Sequence, residues 1–300
     1  MNAIETIGLT KYYGKARGVI DLNLVIPEGE IYGFIGPNGA GKSTTIRLLL
    51  SLLFPSGGSG KIYGKDIVKE GPSIKRMIGF VPSEVHYYDN MTVNELLHYS
   101  ARFYKVAFDK EHKNLIDALD LDLTSKIEDL SMGNRKKVAV IQSLLHRPRL
   151  LILDEPTSGL DPLMQNRFFE ILRAKNKLGT TIFFSSHILA EVQKFCHRVA
   201  IIKDGKIVDE EDILSMKEKS LYRVTYQLKG SSDKVISHLQ GIVSYEQDEN
   251  HISFLYKGEI TLLLKKLHNI QIERLSITEP DLEEVFMHYY LEEKMKENPE

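Results

Sequence analysis

A phosphate-binding loop pattern, G-x-x-x-x-G-K-[ST], lies at residues 36–44 of the chain. Its glycines allow a tight turn in which successive backbone N–H groups can point at a polyphosphate. Lys42 can reach the β- and γ-phosphates, and the hydroxyl of Ser43 is a ligand for Mg²⁺. The pattern therefore predicts a polyphosphate-binding site, built from Gly36, Pro37, Asn38, Gly39, Ala40, Gly41, Lys42, Ser43 and Thr44.

Two adjacent carboxylates, Asp154 and Glu155, close the apolar run 150–153. In ATPases with a phosphate-binding loop, an aspartate at the end of a neighbouring strand holds Mg²⁺. Ligands also sit at the carboxyl ends of parallel strands. We therefore predict that Asp154 is a metal ligand and that Glu155 is the general base that polarises an attacking water. For an isolated Asp-Glu pair after a strand, an ordinary turn is the alternative.

Alternating strands and helices must position these groups, which predicts an α/β fold. The helix after the loop would turn its positive dipole end towards a bound phosphate. Strand 149–153, with its continuous apolar run at 150–153, is typical of a strand buried on both faces of a parallel sheet. Further strands are predicted at 4–10, 19–26, 30–35, 77–81 and 180–184, helices at 92–119, 133–146, 162–177 and 187–196, and a Gly-rich turn at 55–60.

The pattern changes after residue 218. It predicts strand 221–228, helix 231–239, strands 242–247 and 251–256, helix 259–268 and strand 270–276, then a last helix at 279–295. The order β-α-β-β-α-β is that of a ferredoxin-like domain. We therefore predict a nucleotide-binding domain at 1–217, with a helical subdomain at 84–147, and an accessory α+β domain at 218–300.

Composition restricts the class of protein. The 300 residues can bury a substantial core, and the net charge of −2 gives no strong field for nucleic acid or an anionic membrane. The single cysteine, Cys196, excludes an internal disulfide framework and suits the reducing cytosol. No stretch approaches about 18 consecutive apolar residues, and the N-terminus lacks a signal-peptide pattern. We predict a cytoplasmic protein with no nucleic-acid partner.

Further motifs carry a family resemblance. In chain order they lie at Tyr13, at 130–134 (Leu-Ser-Met-Gly-Asn), at 158–161 (Ser-Gly-Leu-Asp) and at His187. Alone, the segment 158–161 would be a turn, and His187 a helix-capping or core histidine. With the loop and the carboxylate pair, this order resembles the nucleotide-binding subunit of an ATP-binding cassette (ABC) transporter over residues 3–215.

The resemblance implies a P-loop ABC-type ATPase that hydrolyses ATP with Mg²⁺. Tyr13 would stack on the adenine. Lys42 and the loop amides would hold the phosphates, while Ser43 and Asp154 hold the metal. Glu155 would activate water. The catalytic residues it implies are Glu155, His187 and Lys42.

A second ATPase subunit, identical or different, also follows from the resemblance. Ser131 and Gly133 would contact the ATP bound to the opposite subunit, and Asp161 would lie at the dimer seam. His187 would contact the γ-phosphate. The family's signature usually reads Leu-Ser-Gly-Gly-Gln, and here Met132 and Asn134 replace the first glycine and the glutamine, which predicts a weaker or slower clamp.

A second departure from the family pattern follows strand 77–81. The usual glutamine is Ser83 here, a shorter side chain that would act through a bridging water. In transporters, the next stretch, 85–91, receives a short helix from the membrane subunit. For Tyr87 and Tyr88 the alternative is packing on the helical subdomain. That packing is the interpretation we favour for Phe103 and Tyr104.

The C-terminal segment 278–286 resembles the tails of bacterial exporter subunits of the antibiotic- and peptide-efflux type, with a dimer-stabilising or regulatory role for its domain. We therefore predict the ATPase subunit of an exporter, bound to an integral membrane subunit at the inner face of the cell membrane. An importer ATPase subunit and a soluble ABC protein acting on ribosomes remain as alternatives. A DNA-repair ATPase would need a long heptad coiled coil, for which the interval 42–131 has no room.

Overall fold

The structure is a computed structural model that describes residues 1–87, 90–213, 221–229, 239–268 and 270–278. The chain divides into two compact units, Met1–Glu211 and Asp212–Glu300. Across the residues that the structure describes, no helix combines the length and the apolar composition needed to cross a bilayer.

Strands and helices alternate through the first unit, as in an α/β protein. In chain order they are β1 (Asn2–Tyr13), β2 (Ala16–Pro27), β3 (Ile31–Ile35), α1 (Lys42–Leu49), β4 (Gly57–Ile62), β5 (Lys65–Asp66), α2 (Gly71–Lys75), β6 (Ile78–Val81), α3 (Val93–Tyr104), α4 (Lys110–Ala118), α5 (Met132–Leu144), β7 (Leu150–Asp154), α6 (Pro162–Lys177), β8 (Thr181–Ser186), α7 (Leu189–Phe195), β9 (Arg198–Lys203) and β10 (Lys206–Asp212). The predicted helix at 162–177 coincides with α6.

A six-stranded sheet in the order β10-β9-β3-β8-β7-β6 forms the centre of this unit. The strands β6, β7, β8, β3 and β9 pair in parallel, so their carboxyl ends meet at one edge. Every residue of β3, β7 and β8 is buried. The prediction of a parallel strand buried on both faces at 149–153 is therefore confirmed.

A second, antiparallel sheet has the order β2-β1-β4-β5 and corrects one prediction. The Gly-rich segment predicted as a turn at 55–60 contains most of strand β4, which pairs with β1. A Cβ atom on Gly58 would lie 2.1 Å from the carbonyl oxygen of Gly8. Only glycine allows β1 to come this close, so here the glycines serve a tertiary contact and not a turn.

The helical region predicted at 92–119 is two helices, α3 and α4. Lys105 takes a left-handed conformation, with φ of 57°, at the end of α3. Asp109 then caps α4 by accepting hydrogen bonds from the backbone N–H groups of Glu111 and His112. Because apolar residues at helical spacing occur on both sides of this break, the sequence pattern did not predict it. Gln142 of α5 donates to the Ser100 hydroxyl of α3 at 2.8 Å, and this hydrogen bond links α3 to α5.

The second unit contains a four-stranded antiparallel sheet. Its elements are β11 (Leu221–Leu228), β12 (Ile242–Asp248), β13 (His251–Lys257), α8 (Ile260–Leu267) and β14 (Ile272–Thr278). The strand order is β12-β13-β11-β14. Leu263 and Leu267 of α8 pack into a core with Tyr226 and Phe254. The predicted helix at 279–295 and nearly all of that at 231–239 lie outside the described residues.

Candidate nucleotide site

The loop at 36–44 joins β3 to α1, and two of its glycines fit where no other residue would. A Cβ atom on Gly36 would lie 2.2 Å from the carbonyl oxygen of Ile202. Gly41 has a φ of 114°, and its Cβ atom would lie 2.8 Å from Cγ1 of Val19. The neighbouring strands β2 and β9 therefore enclose the loop so closely that both positions require glycine.

Helix α1 begins directly after Gly41, its N-cap residue. Glycine has no side chain that could cap the helix, and the first N–H groups of any helix lack acceptors within it. The backbone N–H groups of Lys42, Ser43 and Thr44 occupy this first turn. The loop itself is closed by the N–H of Ala40, which donates to the carbonyl of Pro37 at 3.1 Å. A set of N–H groups at a positive helix end suits a phosphate.

The structure brings together Lys42, Glu155 and His187, the three predicted catalytic residues. Lys42 is only 5% exposed. Its Nζ donates to the carbonyl oxygens of Gly36 at 2.7 Å and Pro37 at 3.3 Å. Oε1 of Glu155 lies 3.4 Å from this Nζ and 3.2 Å from Nδ1 of His187. One carboxylate oxygen therefore faces both the loop lysine and the histidine that follows β8.

Asp154, the predicted metal ligand, ends strand β7 and is 4% exposed. Its Oδ1 accepts a hydrogen bond from the hydroxyl of Ser185, on β8, at 2.7 Å. The N–H of Glu155 donates to the carbonyl of the same serine at 3.1 Å. Ser185 thus holds both members of the carboxylate pair. The sequence interpretation missed this role, because it considered Ser185 only as part of the segment that leads to His187.

Tyr13 lies beside the end of the loop. Its hydroxyl is 3.5 Å from the hydroxyl of Thr44. The side chain is 44% exposed, and Nζ of Lys11 lies 5.7 Å from the ring centroid. The structure therefore places an accessible aromatic face next to the phosphate loop, where the resemblance expects the adenine contact.

Ser131, Gly133 and Asp161 lie elsewhere in the unit. The hydroxyl of Ser131 accepts from the N–H of Asn134 at 3.3 Å and caps α5. Asp161 caps α6 through Oδ1, which accepts from the N–H groups of Leu163 and Met164, both at 3.0 Å. In the described part of the chain, no hydrogen bond joins Ser131 or Asp161 to the loop at 36–44. Both residues cap helices here, whatever they contact in an assembly.

Comparison with known proteins decides the family. The sequence profile described as "ABC transporter" matches residues 19–158. The bacitracin transport ATP-binding protein BcrA of Bacillus licheniformis is 33% identical over 95% of this chain and 96% of its own length. The chain belongs to the ABC transporter family of ATP-binding proteins. The daunorubicin/doxorubicin resistance ATP-binding protein DrrA of Streptomyces peucetius is 30% identical over 95% of this chain and 91% of its own length.

Solved structures agree with this assignment. A dimeric ATP-binding cassette in a post-hydrolysis state, bound to ADP and Pi, has a TM-score of 0.64 and 25% identity, covering 70% of this chain and 98% of its own. This ABC protein is accordingly an ATPase, which converts ATP and water to ADP and phosphate. The fold of its first unit is that of an ABC ATPase cassette.

The altered ABC signature, residues 130–134, packs on the segment 158–161. Met132 is exposed, but its Cγ would lie 3.3 Å from a Cβ atom on Gly159. A Cβ atom on Gly133 would lie 2.7 Å from the carbonyl oxygen of the same glycine. The methionine therefore covers Gly159, whereas Gly133 has to remain a glycine because the backbone of residue 159 lies against it.

The aromatic residues near the helical subdomain have different environments. Burial raises the pKa of Tyr87 above its ordinary value, which favours packing for this side chain. Tyr88 lies outside the described residues. Tyr104 stacks on His146, with ring centroids 4.0 Å apart, as predicted for a packed residue. Phe103 is 74% exposed, so the prediction of packing was wrong here: its ring makes a T-shaped contact with that of Tyr104, but most of the side chain is open to solvent.

Lys136 is the other residue that the sequence interpretation missed. This lysine of α5 is 1% exposed, and its Nζ donates to the carbonyls of Pro82, Ser83 and Glu155. Burial lowers its pKa from 10.5 to about 8, although the carboxylates of Asp154 and Glu155 act in the opposite direction. The available signal was its spacing, since Lys136 lies four residues before Val140 on the buried face of the helix.

Replacement of Gly133 by alanine tests the close approach to Gly159. Overpacking of this kind costs about 1–3 kcal/mol, and the higher helix propensity of alanine returns at most about 1 kcal/mol. We expect a lower free energy of unfolding and slower ATP hydrolysis, with ATP binding retained. Denaturant unfolding and steady-state ATPase rates measure both. Gly57→Ala is the control, because its Cβ atom would meet only Thr10 at 4.0 Å; equal behaviour of the two variants would contradict the prediction.

Proposed function

We propose that this chain is the ATP-hydrolysing subunit of an exporter that moves a peptide, an antibiotic or another amphipathic compound through a separate membrane protein. The observation that carries the proposal is its similarity to transport and resistance ATP-binding proteins over nearly the whole of both chains. The similarity extends beyond the cassette into the second unit. A shared ATPase cassette alone would not favour export over import.

The nucleotide site supports a division of labour among its residues. Lys42 and the N–H groups at the start of α1 hold the phosphates, and Tyr13 stacks on the adenine. Glu155 accepts a proton from the attacking water, because its Oε1 lies at the centre of the site. His187, on the other side of this oxygen, contacts the γ-phosphate.

The residues present fit a Mg²⁺ ion. Ser43 follows the loop lysine in α1, and Asp154 is the last residue of β7 in the parallel sheet. The hydroxyl of Ser43 and the carboxylate of Asp154 are hard oxygen ligands, of the kind that Mg²⁺ prefers. Oδ1 of Asp154 already accepts from Ser185, which orients the carboxylate. When bound, the ion would neutralise phosphate charge.

A second ATPase subunit completes the site. Ser131 and Gly133 lie at the N-terminus of α5, a helix end that suits phosphate oxygens, and no hydrogen bond among the described residues joins Ser131 to the loop of its own chain. Two chains arranged head to tail would place this helix end on the partner's ATP and Asp161 at the seam. Loss of the γ-phosphate contacts on hydrolysis would then release the pair.

The membrane subunit has a candidate surface on α3. Tyr99 and Phe103 are exposed, and they lie four residues apart on one face of this helix. Exposed aromatic residues at helical spacing are typical of protein interfaces. Docking there would hold the ATPase at the inner face of the cell membrane, although the chain itself has no membrane-spanning helix among its described residues.

The accessory unit fits a ferredoxin-like domain. Its strand order β12-β13-β11-β14, with antiparallel pairing throughout, supports the βαββαβ arrangement. The sequence places its start at residue 218, close to Asp212, where the second compact unit begins. A role in stabilising or regulating the dimer of ATPase subunits suits a domain outside the cassette.

Affinity capture tests the proposed function. The Glu155→Gln variant, held with ATP and Mg²⁺, is used to capture partners from detergent-solubilised membranes of its own organism, and mass spectrometry identifies them. We expect a multi-span membrane protein in stoichiometric amount, lost when Lys42→Ala is used instead. Capture of ribosomal proteins would overturn the exporter assignment, and an additional substrate-binding lipoprotein would turn it into an importer.

A further inference from the structure

Lys136 is a buried cation at the junction of three segments. It lies in the second turn of α5, and its Nζ donates to the carbonyl oxygens of Pro82 at 2.9 Å, Ser83 at 2.7 Å and Glu155 at 3.3 Å. An ammonium group has three donors. All three are therefore used on backbone carbonyls, two of them after β6 and one after β7.

No carboxylate forms a direct ion pair with Lys136 among the described residues. The burial of a charge without a direct ion pair costs free energy, although the nearby carboxylates of Asp154 and Glu155 favour the charged form. An apolar side chain of the same length would avoid this cost, but the carbonyls of Pro82 and Ser83 would lose this donor and that of Glu155 would keep only the N–H of Ser158. The contacts thus fix the backbone of two loops, and they do so from a helix that belongs to neither.

Glu155 is the proposed catalytic residue among the three that Lys136 contacts. Its φ of 47° is in the left-handed region, which is unusual for a residue with a side chain. Three hydrogen bonds hold its backbone, since its N–H donates to the carbonyl of Ser185 and its carbonyl accepts from Nζ of Lys136 and from the N–H of Ser158, both at 3.3 Å. The same conformation brings Oε1 of Glu155 between Lys42 and His187. Loss of the Lys136 bond would leave the carbonyl of Glu155 with the N–H of Ser158 alone, and the strained backbone could then shift.

The other two contacts reach the position where Ser83 replaces the glutamine usual in the family. The Ser83 carbonyl, rather than its side chain, is the atom held by Lys136. The N-terminus of α5 carries Ser131 and Gly133, about one turn before the lysine. One ammonium group therefore connects α5, which begins in the signature segment and is called the signature helix below, with the loop after β6 and the backbone of the proposed base.

We propose that Lys136 is a positioning residue for hydrolysis, whose ammonium group ties Glu155 and the loop at 82–83 to the signature helix. The proposal rests on the proposed role of Glu155 as the base. A displaced base slows the chemical step without weakening the phosphate contacts, since Lys42 and the loop amides do not touch Lys136. Misplacement of a catalytic group by about 1 Å costs roughly 100-fold in rate.

Steady-state kinetics on the full chain test this role. Lys136→Met removes all three donors, and we expect kcat for ATP hydrolysis to fall roughly 10- to 100-fold while KM and ATP affinity stay within about twofold. Lys136→Gln keeps two donors and should show the same split with a smaller loss, should the methionine variant fail to fold. Lys113→Met removes the same charge from an exposed position of α4 and is the control.

A double variant separates positioning from general damage. Because Lys136 acts through Glu155, Lys136→Met should not slow Glu155→Gln further. Wild-type kcat in Lys136→Met, multiplied losses in the double variant, or a parallel fall in kcat, ATP affinity and Tm would overturn the proposal. Full turnover by Glu155→Gln would instead overturn the role of the base, so the two failures are distinguishable.

Discussion

Replacement of Lys42 by alanine is expected to remove ATP binding at concentrations at which the parent protein is saturated. The lysine is buried at the loop, and its Nζ lies within reach of the loop carbonyls and Glu155. Hydrogen bonds to charged groups contribute about 1.5–3 kcal/mol each. Loss of two such bonds to phosphate oxygens would weaken ATP binding by at least about 100-fold.

The measurement is a titration with a fluorescent ATP analogue, together with the rise in Tm that ATP produces when it binds the folded state. Lys75→Ala, at an exposed position of α2, removes the same charge and should bind ATP as the parent does. The Tm of the Lys42→Ala variant without ATP shows whether the loop still folds. Tight ATP binding by a folded Lys42→Ala protein would sink the assignment of the loop at 36–44.

The sequence was sufficient for the loop and the carboxylate pair because their chemistry depends on local spacing. A phosphate loop needs glycines, a lysine and a hydroxyl within nine residues, and it has to join a strand to a helix. Asp154 and Glu155 were found because a continuous apolar strand ends at them. The structure adds that the two motifs meet, with Oε1 of Glu155 3.4 Å from Nζ of Lys42.

The features that sequence reasoning missed depend on distant segments. Lys136 lies within the charged run 135–137, which is typical of a solvated helix face, whereas its acceptors at Pro82 and Ser83 lie more than fifty positions earlier. The glycines of β4 have the composition of a turn, but they form a strand because the Gly8 carbonyl of β1 lies within 2.1 Å of a Cβ position on Gly58. Neither the contacts of Lys136 nor the approach of Gly8 to Gly58 can be predicted from the residues next to them in the sequence.

Glu155→Gln should retain ATP binding and lose hydrolysis. The amide has nearly the shape of the carboxylate, and its oxygen can still accept hydrogen bonds from Nζ of Lys42 and from Nδ1–H of His187. It cannot accept the proton of the attacking water. A positioned general base contributes about 100-fold to 10⁴-fold to the rate of such reactions, so we expect a loss of this size in kcat.

The same substitution should trap a dimer of two ATP-loaded subunits, because the contacts to the γ-phosphate are formed and not released. Size-exclusion chromatography with light scattering, with ATP and Mg²⁺, would show a dimer for Glu155→Gln and a shorter-lived one for the parent. Glu170→Gln, at an exposed position of α6, is the matched control.

Two results would contradict this account in different ways. Unchanged turnover in Glu155→Gln would mean that another group takes the proton, although Glu155 is the carboxylate placed between Lys42 and His187. If turnover is impaired but Glu155→Gln stays monomeric at all ATP concentrations, the role of Glu155 as the base would stand and the proposed ATP-dependent dimer would be contradicted. The second result would draw attention to Met132, whose bulk replaces a glycine of the signature and which packs on Gly159 at the segment expected to form the seam.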